Sequence, residues 1–181
     1  MLKHVTLFAS ENAMGLSLGL THDVLAFAST LQQRLLGQPI DISLVTVDGK
    51  PTSTFSGLAI TPDCALDEVQ DTDLIILHSI WGDVDALLSK QAALYPRLRT
   101  WHEQGKPIMA AATGAYFLAE AGLLNDRIST THWHKQADFV KRYPKVDVRP
   151  ERFITATGEL YCSAGMNAGL EILVYLISKL S

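Results

Sequence analysis

A continuous apolar run in the middle of the chain limits the fold more than any other feature. The segment "DLIILHSI", from Asp73 to Ile80, has four apolar residues in succession without alternating polar ones. Strands of this kind are buried on both faces and occur mainly in parallel sheets that helices cover on both sides. We therefore predict that Asp73 to Ile80 forms a central strand of such a sheet.

Strand-like and helix-like segments alternate on both sides of this run. The predicted strands and extended pieces are His4 to Ala9, Ile40 to Gly49, Ser56 to Asp63, Pro107 to Ala111, Val146 to Val148 and a hairpin, "RFITATGELYCSAG", with its turn at Thr157 and Gly158. The predicted helices are Leu16 to Leu36, a segment from Val84 to Gly105 that Pro96 kinks or restarts, a segment that ends at Gly122, Lys135 to Tyr143, and Met166 to Leu180. This alternation predicts an α/β fold, a three-layer sandwich with a mostly parallel sheet.

The first and last predicted helices differ in their apolar patterns. Apolar residues recur at helical spacing in the first helix, at Leu16, Leu20, Val24, Phe27, Leu31 and Leu35. The last helix is apolar on nearly all faces. We therefore expect the last helix to be buried.

Composition excludes several classes of protein. With 181 residues, 48% of them hydrophobic, the chain has the size of one domain and can form a core without disulfides or metals. Its net charge of −4 lacks the basic surplus that binds nucleic acid. Cys64 and Cys162 lie far apart and outside any C-x-x-C pattern, which fits a reducing, cytoplasmic compartment. The amino terminus has no cleavage site and no apolar run reaches the ~18 residues of a membrane span, so we expect neither secretion nor membrane insertion.

The segment "KPIMAAATGAYFLAEAGLLNDRISTTHW", from Lys106 to Trp133, predicts a strand, a sharp turn and a helix. Such a turn lifts its apex residue out of the sheet edge, where α/β hydrolases and cysteine amidotransferases hold a Ser or Cys nucleophile. The apex residue here is Ala112, which has no nucleophilic group. Because ligands bind beyond the carboxyl ends of the strands in sheets of this kind, we expect the site to lie at this turn.

Two segments of the chain resemble a known superfamily. The runs "TGAYFLAEAGLLNDRISTTHW" and "YCSAGMNAGLEILVYLI" resemble ThiJ/PfpI proteins, which are class I glutamine amidotransferase-like. They are most similar to the amino-terminal sensory domain of AraC/XylS-type transcriptional regulators. The resemblance is strongest from Ile108 to Ile177. It implies a flavodoxin-like fold, a single amidotransferase-like domain over residues 1–181, and a DNA-binding helix-turn-helix domain that is not present in this chain.

The resemblance also implies which residues form the site. The family's cysteine corresponds to Ala112, its histidine to His132, and the acid of its first helix to Ser17. The glycine-rich turn that supplies an oxyanion-hole amide corresponds to the segment from His78 to Gly82. The expected ligand-binding residues of this vestigial site are Ala112, Thr113, Gly114, His132, Ser17, His78, Ser79 and Trp81, with no catalytic residue, no metal and no cofactor.

Simpler roles remain open for several of these residues. Thr113 is the hydroxyl nearest the apex, and we expect it to cap the following helix or bond within its first turn rather than act as a nucleophile. His132 and His134 would share one face of a strand, but without a third ligand of clear spacing a structural or pocket-lining role is favoured over a metal site. His78 either lines the pocket or caps its strand. Gly114 allows close packing after the turn.

Two functions from different classes follow from this resemblance. The first is a noncatalytic ligand-sensing domain of an AraC-family transcriptional regulator, whose vestigial cysteine-hydrolase cleft binds a small-molecule effector, a nitrogenous acid or amide. The second is a standalone ThiJ/PfpI-type enzyme, such as a hydrolase, hydratase or glyoxalase-like protein. Alanine at the apex favours the first. We further expect a homodimer that contacts DNA only through a helix-turn-helix domain outside this chain and that contacts no membrane.

Overall fold

A seven-stranded sheet lies at the centre of the computed structural model, which describes residues 1–181. The strands of the chain are β1 (His4–Phe8), β2 (Asp41–Thr46), β3 (Thr52–Ser53), β4 (Ala59–Ile60), β5 (Cys64–Ala65), β6 (Leu74–Leu77), β7 (Ile108–Ala111), β8 (Ile128–Ser129), β9 (Asp147–Val148), β10 (Ile154–Thr157) and β11 (Leu160–Ser163). The central sheet has the order β10-β11-β7-β6-β1-β2-β5, and all of its neighbours are parallel except β10 and β11. The pairs β3-β4 and β8-β9 form two small separate sheets.

Six helices connect and cover the strands. They are α1 (Gly15–Leu36), α2 (Val84–Lys90), α3 (Leu94–Glu103), α4 (Ala115–Glu120), α5 (Gln136–Arg142) and α6 (Met166–Leu180). Short 3₁₀ turns occur at Leu66–Glu68, Ala112–Gly114 and Trp133–Lys135. None of the helices is long and apolar enough to cross a membrane.

Strand β6 shows why the sheet needs a helical layer on each face. All four of its residues are buried, as predicted, and it pairs with both β1 and β7. Ile75 and Leu77 belong to the apolar cluster that includes residues of α2, α3 and α4, whereas Leu74 and Ile76 belong to the cluster that includes residues of α1 and α6. Successive side chains of a strand point to opposite faces. The predicted three-layer α/β sandwich is therefore confirmed.

Strand β1 occupies the position at which the chain changes direction across the sheet. It is followed by β2 on one side, and the chain later returns to place β6 on its other side. Such a switch opens a crevice beyond the carboxyl ends of the strands, where α/β proteins bind ligands. The segments that follow β1, β6, β7 and β11 all meet at this edge.

The prediction that α6 is buried on nearly all faces is wrong. Ile172, Leu173 and Leu176 are buried against the sheet, but the side chains of Val174 and Tyr175 are 58% and 54% exposed. A single helical layer can bury only the stripe that faces the sheet. The solvent-facing side of α6 therefore carries apolar surface at Val174 and Tyr175, beside polar residues such as Glu171 and Ser178.

Helix α1 has the same property. The predicted helical spacing is correct, but much of the predicted apolar stripe points away from the core, with Phe27 67% and Leu35 79% exposed. The buried residues of α1 are Leu18, Thr21, Leu25 and Gln32. The spacing of apolar residues thus predicted correctly that they share one face of α1. It did not show that the sheet packs against a different face of this helix.

The segment from Val84 to Gly105 forms two helices, α2 and α3, separated by a turn. Pro96 lies in the first turn of α3, where its missing N–H has no intrahelical acceptor to lose. The helix predicted from Lys135 to Tyr143 is α5, preceded by a 3₁₀ turn. Gly158 has φ +60° at the predicted hairpin turn, and Gly122 has φ +76° just after α4, as a helix C-terminal glycine does.

Candidate functional site

The 3₁₀ turn Ala112–Gly114, here called the elbow, follows β7 directly. Ala112 has φ +48°, a left-handed conformation that residues with a Cβ rarely adopt. Hydroxyl groups hold both of its backbone polar groups: the Ala112 amide donates to Ser163 Oγ at 3.3 Å, and Thr131 Oγ1 donates to the Ala112 carbonyl at 3.0 Å. The apex therefore has a left-handed backbone, and its side chain is a methyl group.

Gly114 lets the elbow lie against β6. A Cβ atom at this position would be 2.5 Å from the Leu77 carbonyl oxygen and 3.1 Å from that of His78. Its φ of −59° is ordinary, so close approach rather than backbone conformation requires glycine here. The predicted close-packing role is thus supported by the geometry, and Gly114 itself does not face the cavity described below.

Thr113 is 1% exposed, and its hydroxyl connects the elbow to the loop after β6. Thr113 Oγ1 donates to the Ile80 carbonyl at 2.7 Å, accepts from the Ile80 amide at 2.8 Å, and lies 2.8 Å from Ser79 Oγ. The expectation that Thr113 bonds at the start of its own helix is wrong, because its partners lie 33 and 34 residues away. The hydroxyl is fully engaged in hydrogen bonds and is not free to act as a nucleophile.

Two amides of the turn that the resemblance assigned to an oxyanion hole already have hydrogen-bond acceptors within the protein. The Ile80 amide donates to Thr113 Oγ1, and the Trp81 amide donates to the Asn12 carbonyl at 3.0 Å. A donor already bonded inside the protein does not stabilise a developing oxyanion without first breaking that bond. Two amides of this turn are therefore structural.

A cavity of about 230 Å³, the elbow cavity, opens at the carboxyl ends of β1, β6, β7 and β11. The sequence-predicted residues that line it are Ser17, Ser79, Trp81, Ala112, Thr113 and His132. Gly114 and His78 lie outside its lining. The structure thus brings six of the eight predicted residues together around one space, although they come from four different parts of the chain.

His78 is placed behind the elbow cavity rather than on its wall. The ring is 1% exposed, and its Nδ1 atom lies 3.4 Å from Ser17 Oγ, while its Nε2 atom has no hydrogen-bond partner. Burial lowers the pKa of His78 to about 4, because the interior does not solvate an imidazolium. Of the two predicted roles, neither pocket lining nor strand capping describes this neutral, buried ring.

His132 stands at the mouth of the cavity, at the start of the 3₁₀ turn Trp133–Lys135. Its Nδ1 atom accepts a hydrogen bond of 3.4 Å from the His134 amide, which leaves the proton of the neutral ring on Nε2. Partial burial, and secondarily the nearby His134, lower the pKa of His132. At neutral pH the ring is therefore an uncharged donor.

His132 and His134 do not lie on a strand, as the metal hypothesis assumed, but on a turn. The His134 ring stacks on Trp81 with centroids 6.0 Å apart, and the Phe55 ring lies edge-on to Trp81 with centroids 5.8 Å apart. No group of three or more His, Cys, Asp or Glu side chains is arranged to hold a metal ion. Trp81 forms one wall of the cavity and is supported by this aromatic contact.

Sequence reasoning missed five residues of the cavity wall: Met14, Leu16, Ala111, Gly165 and Met166. Gly165 precedes α6 and Met166 is its first residue; this helix start has no side-chain cap, so its first-turn amides near the cavity are free to bind a ligand. The sequence contained a usable signal for two pairs of these residues, because Met14 and Leu16 follow β1 and Gly165 and Met166 follow β11, and both strands end at this edge. The helix that follows the elbow, α4, presents no such amides to the cavity, because its first residues are buried and none of them lines it.

Comparison with known proteins places the chain in a family. A family model described as the DJ-1/PfpI family matches residues 21–179. The chain belongs to the DJ-1/PfpI family. Two solved structures share its fold: an AraC family transcriptional regulator from Pseudomonas putida (TM-score 0.80, 21% identity, covering 98% of this chain and 92% of that one) and DJ-1beta from Drosophila melanogaster (TM-score 0.82, 18% identity, covering 99% and 91%).

Curated relatives of this DJ-1/PfpI domain include transcriptional regulators. It is 30% identical over 136 residues to the HTH-type transcriptional regulator CdhR of Pseudomonas aeruginosa, and 28% identical over 169 residues to GbdR, an HTH-type regulator of the same species. These matches cover 75% and 93% of this chain but 39% and 44% of the regulators, so the chain spans about two fifths of their length. It is also 25% identical over 141 residues to isonitrile hydratase of Pseudomonas putida, covering 78% of this chain and 60% of the hydratase.

Proposed function

We propose that this DJ-1/PfpI domain is the noncatalytic sensory domain of an AraC-type transcriptional regulator, and that the elbow cavity binds its small-molecule effector. The observation that carries the proposal is Ala112 at the apex of the elbow, on the wall of the elbow cavity. The strained turn is retained without the nucleophile that it holds in hydrolases. A cavity that lies at such a turn and lacks a nucleophile is suited to binding a small molecule without reacting with it.

Three further contacts support a role without catalysis. A nucleophile needs an activating base within hydrogen-bond reach, and the hydroxyl next to the apex, Thr113, is bonded to Ile80 instead. The Ile80 and Trp81 amides have protein partners. Both cysteines lie outside the elbow cavity, and burial raises the pKa of Cys162 to about 11, so its thiol stays protonated.

The effector that we propose is a small nitrogenous acid or amide. The elbow cavity combines apolar wall residues, among them Met14 and Trp81, with a few polar groups, as small-molecule sites commonly do. His132 Nε2 and the first-turn amides of α6 offer donors for a carbonyl or carboxylate oxygen. We propose further that effector binding is communicated to a helix-turn-helix domain, which contacts DNA in the cytoplasm.

A thermal-shift screen of small nitrogenous acids and amides tests this function. Binding stabilises the folded state by about 2.7 kcal/mol at one hundred times the dissociation constant, so at least one compound should raise the melting temperature. His132→Ala and Ala112→Leu should abolish the shift, the first by removing a donor and the second by filling the cavity. A compound whose stabilisation survives both substitutions would show that the effector site lies elsewhere.

The relation to isonitrile hydratase keeps an enzyme as the second candidate function. A thiol-dependent enzyme of this family would lose turnover on alkylation. We expect no thiol-dependent amidase, hydratase or glyoxalase turnover from this chain, because neither cysteine reaches the elbow. Steady turnover that iodoacetamide abolishes would contradict the noncatalytic proposal.

We also propose that the chain forms a homodimer through the α1–α6 face, defined by Val24, Phe27, Leu31, Leu35, Val174 and Ile177. These residues line an apolar groove of about 430 Å³ between the two helices. Contiguous exposed apolar surface of this kind marks interaction sites in soluble proteins. A two-fold dimer would place the same face of each copy against the other.

A further inference from the structure

The hydroxyl of Ser79 is fixed in one direction by the network that holds the elbow. A carbonyl oxygen can only accept, so the 2.7 Å contact between Thr113 Oγ1 and the Ile80 carbonyl uses the one hydroxyl hydrogen of Thr113. The 2.8 Å contact between Ser79 Oγ and Thr113 Oγ1 must then use the hydrogen of Ser79. Ser79 therefore has no hydrogen to donate to a ligand.

Ser79 nevertheless lines the elbow cavity. Its hydroxyl is hydrogen-bonded to Thr113 Oγ1, and its carbonyl accepts a hydrogen bond from the Met14 amide at 2.9 Å. The residue is 9% exposed, so few water molecules can reach its oxygen. The remaining lone pairs of Ser79 Oγ form a positioned acceptor on the cavity wall.

Charge is absent from the cavity wall. None of its eleven lining residues is Asp, Glu, Lys or Arg, and the His132 ring is a neutral donor through Nε2. A charged ligand would give up its hydration without meeting a charged side chain on the wall, which is costly; the nearest cation, Lys135 Nζ, lies 5.9 Å from the centre of the Trp81 ring. A carboxylate would in addition place its lone pairs against those of Ser79.

We propose that Ser79 Oγ is the specificity-determining acceptor of the elbow cavity and selects an uncharged ligand with an N–H donor, a carboxamide, over the matching ester or carboxylate. This inference rests on the proposed sensory function of the same cavity, and it narrows the proposed effector class from acids and amides to uncharged amides. The carboxamide N–H donates to Ser79 Oγ, and its carbonyl oxygen accepts from His132 Nε2–H. One planar group thus satisfies both polar sites, whereas an ester offers no hydrogen.

The test uses three probes that differ at the relevant atoms: N-methylbutanamide, methyl butanoate and butanoate. Calorimetric titration of the 181-residue chain should give an affinity for the amide about tenfold above that for the ester, since a missing hydrogen bond leaves a buried acceptor unpaired. Butanoate should bind more weakly than the amide. In Ser79→Ala the amide and the ester should bind within about twofold of each other, because both then face a methyl group.

Ser17→Ala is the matched control, because it removes a second hydroxyl from the same wall. It should keep the preference for the amide, and loss of the preference in this variant instead of Ser79→Ala would overturn the assignment of Ser79. Tighter binding of butanoate, or a preference for the amide that persists in Ser79→Ala, would also overturn it. If none of the probes binds, the proposed ligand class is wrong. A metabolite from the wider screen whose shift is lost in Ala112→Leu would then still support the sensory function.

Discussion

The neutral imidazole of His78 makes the stability of this domain depend on pH. Its ordinary pKa of 6.5 falls to about 4 in the folded chain, so the unfolded chain takes up the proton first as the pH falls. Stability is then fully present above pH 6.5 and is lost as the pH falls toward 4. His132 and His102 also have lowered pKa values and act in the same direction.

We expect His78→Asn to reduce this pH dependence. Between about pH 7.5 and about pH 5, the free energy of unfolding of the unchanged chain should fall by about 2 kcal/mol through His78 alone. The variant should lose that much less, as measured by urea unfolding at the two pH values. His22→Asn, on the exposed side of α1, is the control and should leave the dependence unchanged. Equal pH dependence of His78→Asn and the unchanged chain would show that His78 is not the group responsible.

At the scale of elements, the approach of the elbow to β6 is the closest packing in the site. The chain reverses from β7 into α4 against the backbone of β6, and only a hydrogen atom fits at Gly114. The hydrogen bonds from Thr113 to Ile80 form only while this approach is maintained. Stability and the shape of the cavity wall are therefore coupled at Gly114.

We predict that Gly114→Ala destabilises the fold by at least about 2 kcal/mol, because its methyl group overlaps a backbone carbonyl that cannot move freely. Gly19→Ala is the matched control, since its Cβ would meet no atom within 4 Å on α1. There the change should stabilise the helix by about 0.5–1 kcal/mol. Denaturant unfolding of both variants measures the difference. Similar free energies for the two would mean that the elbow is not tightly packed on β6.

At the scale of the whole molecule, the main question is what covers the α1–α6 face. The face combines the exposed apolar stripe of α1 with the exposed side of α6, and it lies on the opposite side of α1 and α6 from the central sheet. An isologous dimer would bury it without any other partner. The elbow cavity adjoins the start of both helices, through Leu16 and Met166, whereas the α1–α6 face is formed by residues closer to their carboxyl ends.

We expect sedimentation velocity at tens of micromolar to show a dimer, and Leu35→Glu to convert it to a monomer by placing a charge in the interface. Val140→Glu introduces the same charge at a half-exposed apolar residue on α5, in the other helical layer, and should leave the dimer intact. A monomer before any substitution, or a dimer that survives Leu35→Glu, would contradict the proposed interface.

Local chemistry in the sequence was enough to predict most elements and the elbow. The run around Leu74 to Leu77 gave the central strand, because unbroken apolar character is a property of neighbouring residues. The strand, small residues and helix around Ala112 gave the turn for the same reason. Comparison with relatives then confirmed the family that these motifs resembled.

Only the tertiary structure decided what each of these features faces. Spacing placed Phe27 and Leu35 on one side of α1 but did not show that this side is solvent-exposed. Thr113 is hydrogen-bonded to Ile80, and the His78 ring contacts the Ser17 hydroxyl. Both contacts form because the sheet brings together segments that are distant in the chain. The wall residues from Met14 to Met166 meet for the same reason, at the shared edge where parallel strands end. Periodicity records which residues share a face, whereas burial and hydrogen-bond partners depend on which elements pack against it.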